Sequence, residues 1–482
     1  MSPAQKKKTA NPDTKPSAQP SGATFRKLEG VLAPVLKFIQ NQVTSSVLLL
    51  GATFIALIVA NSASAHAFHH FWETPVTLGF GSYSLTLTLH HWINDGLMAI
   101  FFTLVGLEIK IEIVEGELAG LKKALLPIGA AVGGMVLPAA IYMLFNHTDP
   151  VIARGWGIPM ATDIAFALMM LSVLGSKVPS SLKVFLAALA IADDLGAVLV
   201  IAFFYTEKIH VGFLLVGGLL ALTLFLLNGL KVRTLGLYIG VALGIWLCFL
   251  QAGVHPTMAG VLLAMSLPIR PRGGIDESRK HLQELHQLTE KLVQTETEIP
   301  RGCRESDELI NRIQYTGWML ESPLQNLLHK LEPISNYFVM PVFALANAGI
   351  TLEASALEYA FSSLGLGIFF GLVFGKPIGI TLFTWLVCKL NLAQLPGGIH
   401  YRQVFGAGIL AGIGFTVSVF IANLSFSSSE AMLGGARLAI LVASFVAAAV
   451  GYLFLTWQGS PAQVPPATDE PTGNPADSGA VA

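Results

Sequence analysis

The chain has 482 residues, 53% of them hydrophobic and only 12% charged, with a net charge of −1; its mean hydropathy is +0.64. Soluble domains carry charge on about a quarter of their residues, so this composition excludes one and predicts an integral membrane protein. A near-zero net charge gives no electrostatic footprint for nucleic acid, and Cys248, Cys303 and Cys388 form an odd, scattered set that fits neither a disulfide framework nor metal-ligand spacing.

Residues 1–28 are polar, with Lys6, Lys7, Lys8, Lys15, Arg26 and Lys27, and are expected to be a disordered cytoplasmic tail with no cleavable signal; the first span would serve for insertion. From Ser45 to Leu455, apolar stretches of about 17 to 25 residues recur about twelve times, each long enough to cross the hydrocarbon core as a helix. The expected fold is therefore an all-α polytopic transmembrane domain over residues 29–458. The first loop, Asn61 to His91, has no Lys or Arg, and Lys110, Lys122 and Lys123 then mark an inner loop. Lys177 with Lys183, Lys231 with Arg233, and Lys389 with Arg402 mark further inner loops, which predicts an even number of spans with both termini inside.

Within the first loop, residues 75–89 alternate apolar and polar side chains around Gly81-Ser82, the pattern of an outer β-hairpin. Such a hairpin is either a loop ornament or an edge through which two copies form a homodimer. Asn94-Asp95 follows in the second span, and Asp95 is a structural or access-path residue. Glu108, Lys110, Glu112, Glu115 and Glu117 cluster at the inner end, where they form either a solvated helix end or a pH-responsive element.

The first interrupted span runs Gly155-Trp156-Gly157-Ile158-Pro159-Met160-Ala161-Thr162-Asp163. Freed backbone groups at such a break need partners, and a carboxylate beside the positive end of a half-helix is favourable. Asp163 thus caps the half-helix, and with Thr162 it also offers oxygens to a cation. The adjacent pair Asp193 and Asp194 lies deep in an apolar run, where each charge costs roughly 2.5–3.5 kcal/mol on insertion scales and is kept for a use. Two neighbouring carboxylates in low dielectric resist double ionisation, so one is readily protonated. A proton and a hard cation then compete for the same oxygens, which is the simplest device for exchanging H+ against Na+ or Li+.

His255, in Gly253-Val254-His255-Pro256, is a lone histidine and reads as packing rather than as a proton carrier. Residues 270–322 form a densely charged inner segment in which Leu282, Leu285, Leu288 and Leu292 recur at near-helical spacing, predicting a solvated cytoplasmic helix or a partner-binding element. Gly367, Gly371, Gly375 and Gly379 then make a smooth ridge for close helix packing, which delivers Lys376 into a protein interface with Asp163, Asp193 or Asp194 as its partner. A phosphate-binding loop is rejected there, because only three residues separate Gly371 from Gly375 and Pro377 stands in place of Ser or Thr. Gly406 to Thr416 is the second interrupted segment, in the other half of the chain. A pair of such segments points to broken helices meeting at a midplane site. Residues 459–482, rich in Pro, Ala, Asp and Gly, are expected to be a disordered cytoplasmic tail.

Ala161-Thr162-Asp163-Ile164-Ala165-Phe166-Ala167-Leu168, Ala190-Ile191-Ala192-Asp193-Asp194-Leu195-Gly196, Phe343-Ala344-Leu345-Ala346-Asn347-Ala348-Gly349, Gly375-Lys376-Pro377-Ile378-Gly379 and Gly412-Ile413-Gly414-Phe415-Thr416 resemble, in order and spacing, the bacterial NhaA family of sodium/proton antiporters. The resemblance implies inverted repeats with two broken helices crossing near the midplane, location in the bacterial inner membrane, and electrogenic, pH-regulated Na+ (or Li+)/H+ exchange serving pH homeostasis and salt tolerance. It implies no cofactor and no enzymatic activity, and the partners are the ions and membrane lipid. By position, Asp193 and Asp194 resemble the cation- and proton-binding pair, Thr162 and Asp163 the broken-helix residues beside it, and Lys376 the lysine that either neutralises partial charges or pairs with the first of the two aspartates. Asp95, Glu108, Lys110, Glu112 and His255 also match. Ile111 departs from an arginine in the family's inner cluster, Leu328 and Glu332 depart from an acidic and a histidine position, and the segment after Arg270 is longer than usual.

Three other readings place polar groups in a membrane. A sodium-coupled symporter of similar architecture needs a large amphipathic solute cavity, which these sparsely polar spans do not suggest. An intramembrane aspartyl protease needs aspartates on facing helices in a Gly-x-Gly-Asp setting, and a zinc protease needs His-Glu-x-x-His; the chain has neither motif.

Overall fold

The computed structural model describes residues 42–80, 83–206, 209–269, 279–280, 282–291, 312–313, 316 and 322–458. Both terminal tails and most of the 270–322 segment lie outside the described residues, although 282–291 are helical and Leu288 is buried. The main helices are α1 (Gln42–Ala60), α2 (Met98–Val114), α3 (Leu121–Asn146), α4 (Ile164–Leu174), α5 (Ser180–Phe204), α6 (Val211–Gly229), α7 (Leu235–Ala252) and α8 (Met258–Ser266). They continue with α9 (Pro323–Ile334), α10 (Met340–Asn347), α11 (Ser363–Phe370), α12 (Lys376–Lys389), α13 (Tyr401–Ala411), α14 (Phe415–Ser425) and α15 (Glu430–Trp457). Strands β1 (Pro75–Phe80) and β2 (Tyr83–Thr88) pair antiparallel, with Leu78 opposite Leu85 and Thr77 opposite Thr86, as the alternation predicts.

Among the described residues, 8 helical stretches are long and apolar enough to cross a bilayer, or 9 if α13 and α14, bent by 51°, count as one span. This falls short of the expected count of about twelve because several apolar runs are not single regular helices. A π-helical turn at Trp92–Leu97 precedes α2, another at Ser335–Val339 separates α9 from α10, and α8 is only 9 residues long. Such turns are frequent at functional sites.

In lipid the hydrophobic effect does not drive helices together, so close van der Waals contact must. The glycine ridge of α11 and α12 supplies it against α3. A Cβ on Gly133 would strike the carbonyl of Gly379, and one on Gly379 that of Gly133. A Cβ on Gly371 would meet the Pro159 ring at 2.7 Å, which brings the first break to the ridge that leads to Lys376. One core joins α1–α5 and α10–α15, and a second forms around α7 and α8 with Leu107, Leu224, Tyr238 and Trp246. Burial differs sharply between spans: 61% of the Ser180–Phe204 stretch is buried against 11% of Val211–Gly229, so α5 is central and α6 faces outward.

Candidate functional site

The site is built where two chain breaks cross. The first span runs as a 3-10 turn to Met160, becomes extended through Ala161, Thr162 and Asp163, and resumes as α4. The second breaks between Ala411 and Phe415. Each break satisfies the other's freed backbone groups, as a membrane interior requires. The Asp163 N–H donates to the carbonyl of Ile413 (2.7 Å), and the Thr162 hydroxyl donates to that of Ala411 (2.9 Å). On the acceptor side, Asp163 Oδ1 takes the N–H of Phe166 in α4 (3.3 Å), and Oδ2 takes both the N–H (3.2 Å) and the hydroxyl of Thr416 in α14. One buried carboxylate thus caps two half-helices at their positive ends.

Lys376 opens α12, directly after the π-helical turn Gly371–Gly375, and is fully buried. Its ammonium donates to the Thr162 hydroxyl at 2.8 Å and to Asp193 Oδ2 at 2.6 Å. Of the three partners that the sequence left open, the ion pair is therefore with Asp193. Asp193 and Asp194 sit mid-helix in α5, about 15–20 Å from either end at the usual helical rise. The second oxygen of Asp193, Oδ1, is buried and has no hydrogen-bond partner. Asp194 accepts no hydrogen bond among the described residues and remains 6% exposed, against 1% for Asp193 and Asp163. An unshared carboxylate oxygen in low dielectric is costly unless a proton or cation reaches it.

Direct hydrogen bonds join Thr162, Lys376 and Asp193, while Asp163 adjoins Thr162 and Asp194 adjoins Asp193 along the chain. Among the described residues, no three His, Cys, Asp or Glu side chains gather around one point, so the aspartates do not form a preformed three-carboxylate cage. A hard, weakly held cation needs no such cage, since hydroxyl and carbonyl oxygens and water complete its shell.

The other sequence candidates lie apart. The Asp95 carboxylate is 3.7 Å from His255 Nε2, while His255 Nδ1 is 2.6 Å from the Thr257 hydroxyl. Both residues line a polar cavity of about 470 Å³ with His90, Asn94, Tyr205 and Asn423. Neither the aspartate pair nor Lys376 lines it, so it is not a solute site around the carboxylates. Lys110 turns away from its acidic neighbours and donates to the carbonyls of Met265 (2.6 Å) and Leu267, at the negative end of α8. Glu108 and Glu112 are half-buried, whereas Glu115 and Glu117 are exposed, as a solvated helix end would be.

Three polar elements have roles that the sequence does not reveal, among them Arg437, which reads there only as a basic exception near the last span. Thr416, the last residue of the second interrupted segment, supplies both bonds to Asp163 Oδ2. Ser444 on α15 accepts the N–H of Phe415 at 3.2 Å. Arg437 meets Asn347 and Asn423 in a network on the cavity side. The available signal was the cost of an arginine or asparagine inside an apolar run.

The family model described as "Na+/H+ antiporter 1" matches residues 36–455. The Na(+)/H(+) antiporter NhaA of Oleidesulfovibrio alaskensis is 46% identical over 90% of this chain and 96% of its own length. NhaA 1 of Saccharophagus degradans is 42% identical over 89% and 92%, and NhaA of Escherichia coli O1:K1 / APEC is 41% identical over 87% and 97%. A solved structure, the sodium proton antiporter MjNhaP1 from Methanocaldococcus jannaschii, aligns at 11% identity and a TM-score of 0.46 over 90% of this chain and 96% of that one. The chain belongs to the NhaA family of sodium/proton antiporters: a multi-pass bacterial membrane protein that exchanges Na+ for H+.

Proposed function

We propose that exchange runs by competition of protons and Na+, or Li+, for the oxygens of Asp193 and Asp194, with Thr162 and Asp163 completing the site. The observation that carries this reading is the buried ion pair of Lys376 with one oxygen of Asp193, beside an unshared second oxygen and the free carboxylate of Asp194. In the proton-loaded state Asp194 is neutral and Lys376 is paired with Asp193. Entry of a cation displaces the ammonium from Asp193 Oδ2, since both cannot occupy the same oxygen. Asp194 then gives up one proton and the Lys376–Asp193 pair a second. Two protons against one cation move one net charge per cycle, so exchange is electrogenic. The crossed half-helices give the movement its hinge, because only side-chain and short backbone bonds hold Thr162 and Asp163 to the second break.

The same reading sets both termini in the cytoplasm of a bacterial inner membrane, by the distribution of Lys and Arg. It gives the β1–β2 hairpin, with Leu78 59% exposed, to homodimer pairing. The acidic end of α2 is assigned to pH regulation, and lipid covers exposed helices such as α6. The test is reconstitution in sealed vesicles with an imposed membrane potential. Na+-driven proton flux should follow the potential in sign and size; flux indifferent to voltage would overturn the two-proton cycle.

A further inference from the structure

Arg437 is a cation inside the long apolar span α15, and among the described residues its guanidinium makes no salt bridge. Its fork is taken up by amides instead. Nε and Nη2 donate to Asn423 Oδ1 at 3.2 and 2.7 Å, and Nη2 also donates to Asn347 Oδ1 at 3.2 Å. Asn423 Nδ2 closes the triangle on Asn347 Oδ1 at 2.6 Å, and Asn347 Nδ2 passes on to Asn94 Oδ1 at 2.9 Å, beside Asp95.

The acceptors stand at equivalent places. Asn347 is the last residue of α10, and Asn423 lies in the last turn of α14. Both helices turn their negative ends toward this point, where a cation is favoured. At its other end α14 presents Thr416 to Asp163. The half-helix is thus held by an anion at its positive end and by Arg437 near its negative end, about 10 Å apart at the helical rise. The same α15 reaches both ends, because Ser444, two turns from Arg437, accepts the N–H of Phe415.

We propose that Arg437 is a positioning residue for cation binding: its fork holds the far end of α14 and, through that half-helix, sets Thr416 against Asp163. The proposal rests on the reading that Asp163 belongs to the cation site. It separates Arg437 from a plain packing residue, because the effect must travel through Thr416.

The experiment measures Na+ dependence of proton flux in vesicles for Arg437→Gln, Arg437→Lys, Asn423→Ala, Thr416→Val and the double variant Arg437→Gln/Thr416→Val, with melting temperature in detergent alongside. Arg437→Gln and Asn423→Ala should raise the KM for Na+ about fivefold or more, in the range of ordinary site-to-site coupling, with little change in maximal rate. Arg437→Lys keeps the charge without the fork and should rescue part of the shift. The double variant should match Thr416→Val alone, since both changes act on one contact. An unchanged KM in a folded Arg437→Gln or Asn423→Ala, a KM effect that multiplies in the double variant, or a lowered maximal rate and melting temperature at constant KM would each overturn the proposal. If Arg437→Gln does not fold, Asn423→Ala decides, since it leaves the arginine in place. Asp163→Asn is run beside them: an unchanged KM for Na+ there would overturn the reading that Asp163 belongs to the cation site, whereas a raised KM there with an unchanged KM in Arg437→Gln would overturn the hold on α14 alone.

Discussion

The ammonium of Lys376 lies 2.6 Å from Oδ2 of Asp193, while Oδ1 of the same carboxylate is buried without a hydrogen-bond partner. One oxygen of the carboxylate is thus paired and the other is left without a partner. The pair brings α12 and α5 together at the point where the broken spans cross, and Thr162 joins it by accepting a second bond from the ammonium.

Replacing either member of the aspartate pair should remove exchange without removing the protein. Asp193→Asn and Asp194→Asn each delete an ionisable oxygen and are expected to lower Na+-dependent proton flux at least about a hundredfold, as loss of an essential acid–base group does. Flux in everted vesicles, normalised to membrane-inserted protein, provides the measurement. Asp163→Asn should be milder, because an amide oxygen still caps Phe166 and the NH2 group can donate to the Thr416 hydroxyl, although the Thr416 N–H loses its acceptor. Near-parent flux in either pair variant would remove that residue from the site.

Lys376→Ala should lower both activity and stability, because removing one partner of a buried pair leaves an uncompensated charge, a cost of about 3–5 kcal/mol. A fall in melting temperature in detergent is expected, and acid should restore part of it, since protonation of Asp193 removes the stranded charge. If melting is unchanged at neutral pH, Asp193 is already neutral there and the ion pair is not the resting state.

Packing of α3 on α12 gives a prediction independent of the chemistry. Gly133→Ala places a methyl group against the backbone carbonyl of Gly379, and overpacking of this kind costs about 1–3 kcal/mol. Gly218→Ala in α6 meets nothing within 4 Å and should leave melting unchanged. Equal melting of the two variants would show that the close approach of α3 and α12 is not required.

Ile111 stands beside the carboxylates of Glu108 and Glu112, and Lys110 spends its charge on the end of α8. Ile111→Arg adds a cation to this acidic end, which raises the local potential and repels protons. The pH profile of exchange should therefore move to lower pH, by about a unit or less for a half-exposed charge. An unchanged profile would assign the acidic end of α2 to solubility.

Much of this protein was legible from sequence because a bilayer makes polar residues expensive. Asp193, Asp194, Asp163 and Lys376 stand out within apolar runs, Gly and Pro mark the two breaks, and the alternation in residues 75–89 gives the hairpin its register. Local order was enough for these, since insertion cost and backbone preference depend on residue type. The number of regular spans was not legible, because π-helical turns such as Trp92–Leu97 carry no composition signal apart from their apolar neighbours. Nor was the partner of Lys376, the double cap made by Asp163, or the hold of Arg437 on Asn347 and Asn423, whose members lie 90 and 14 residues away along the chain. Those relations depend on which side chains a helix crossing brings within about 3 Å, the reach of a hydrogen bond, and only the packed tertiary structure decides that.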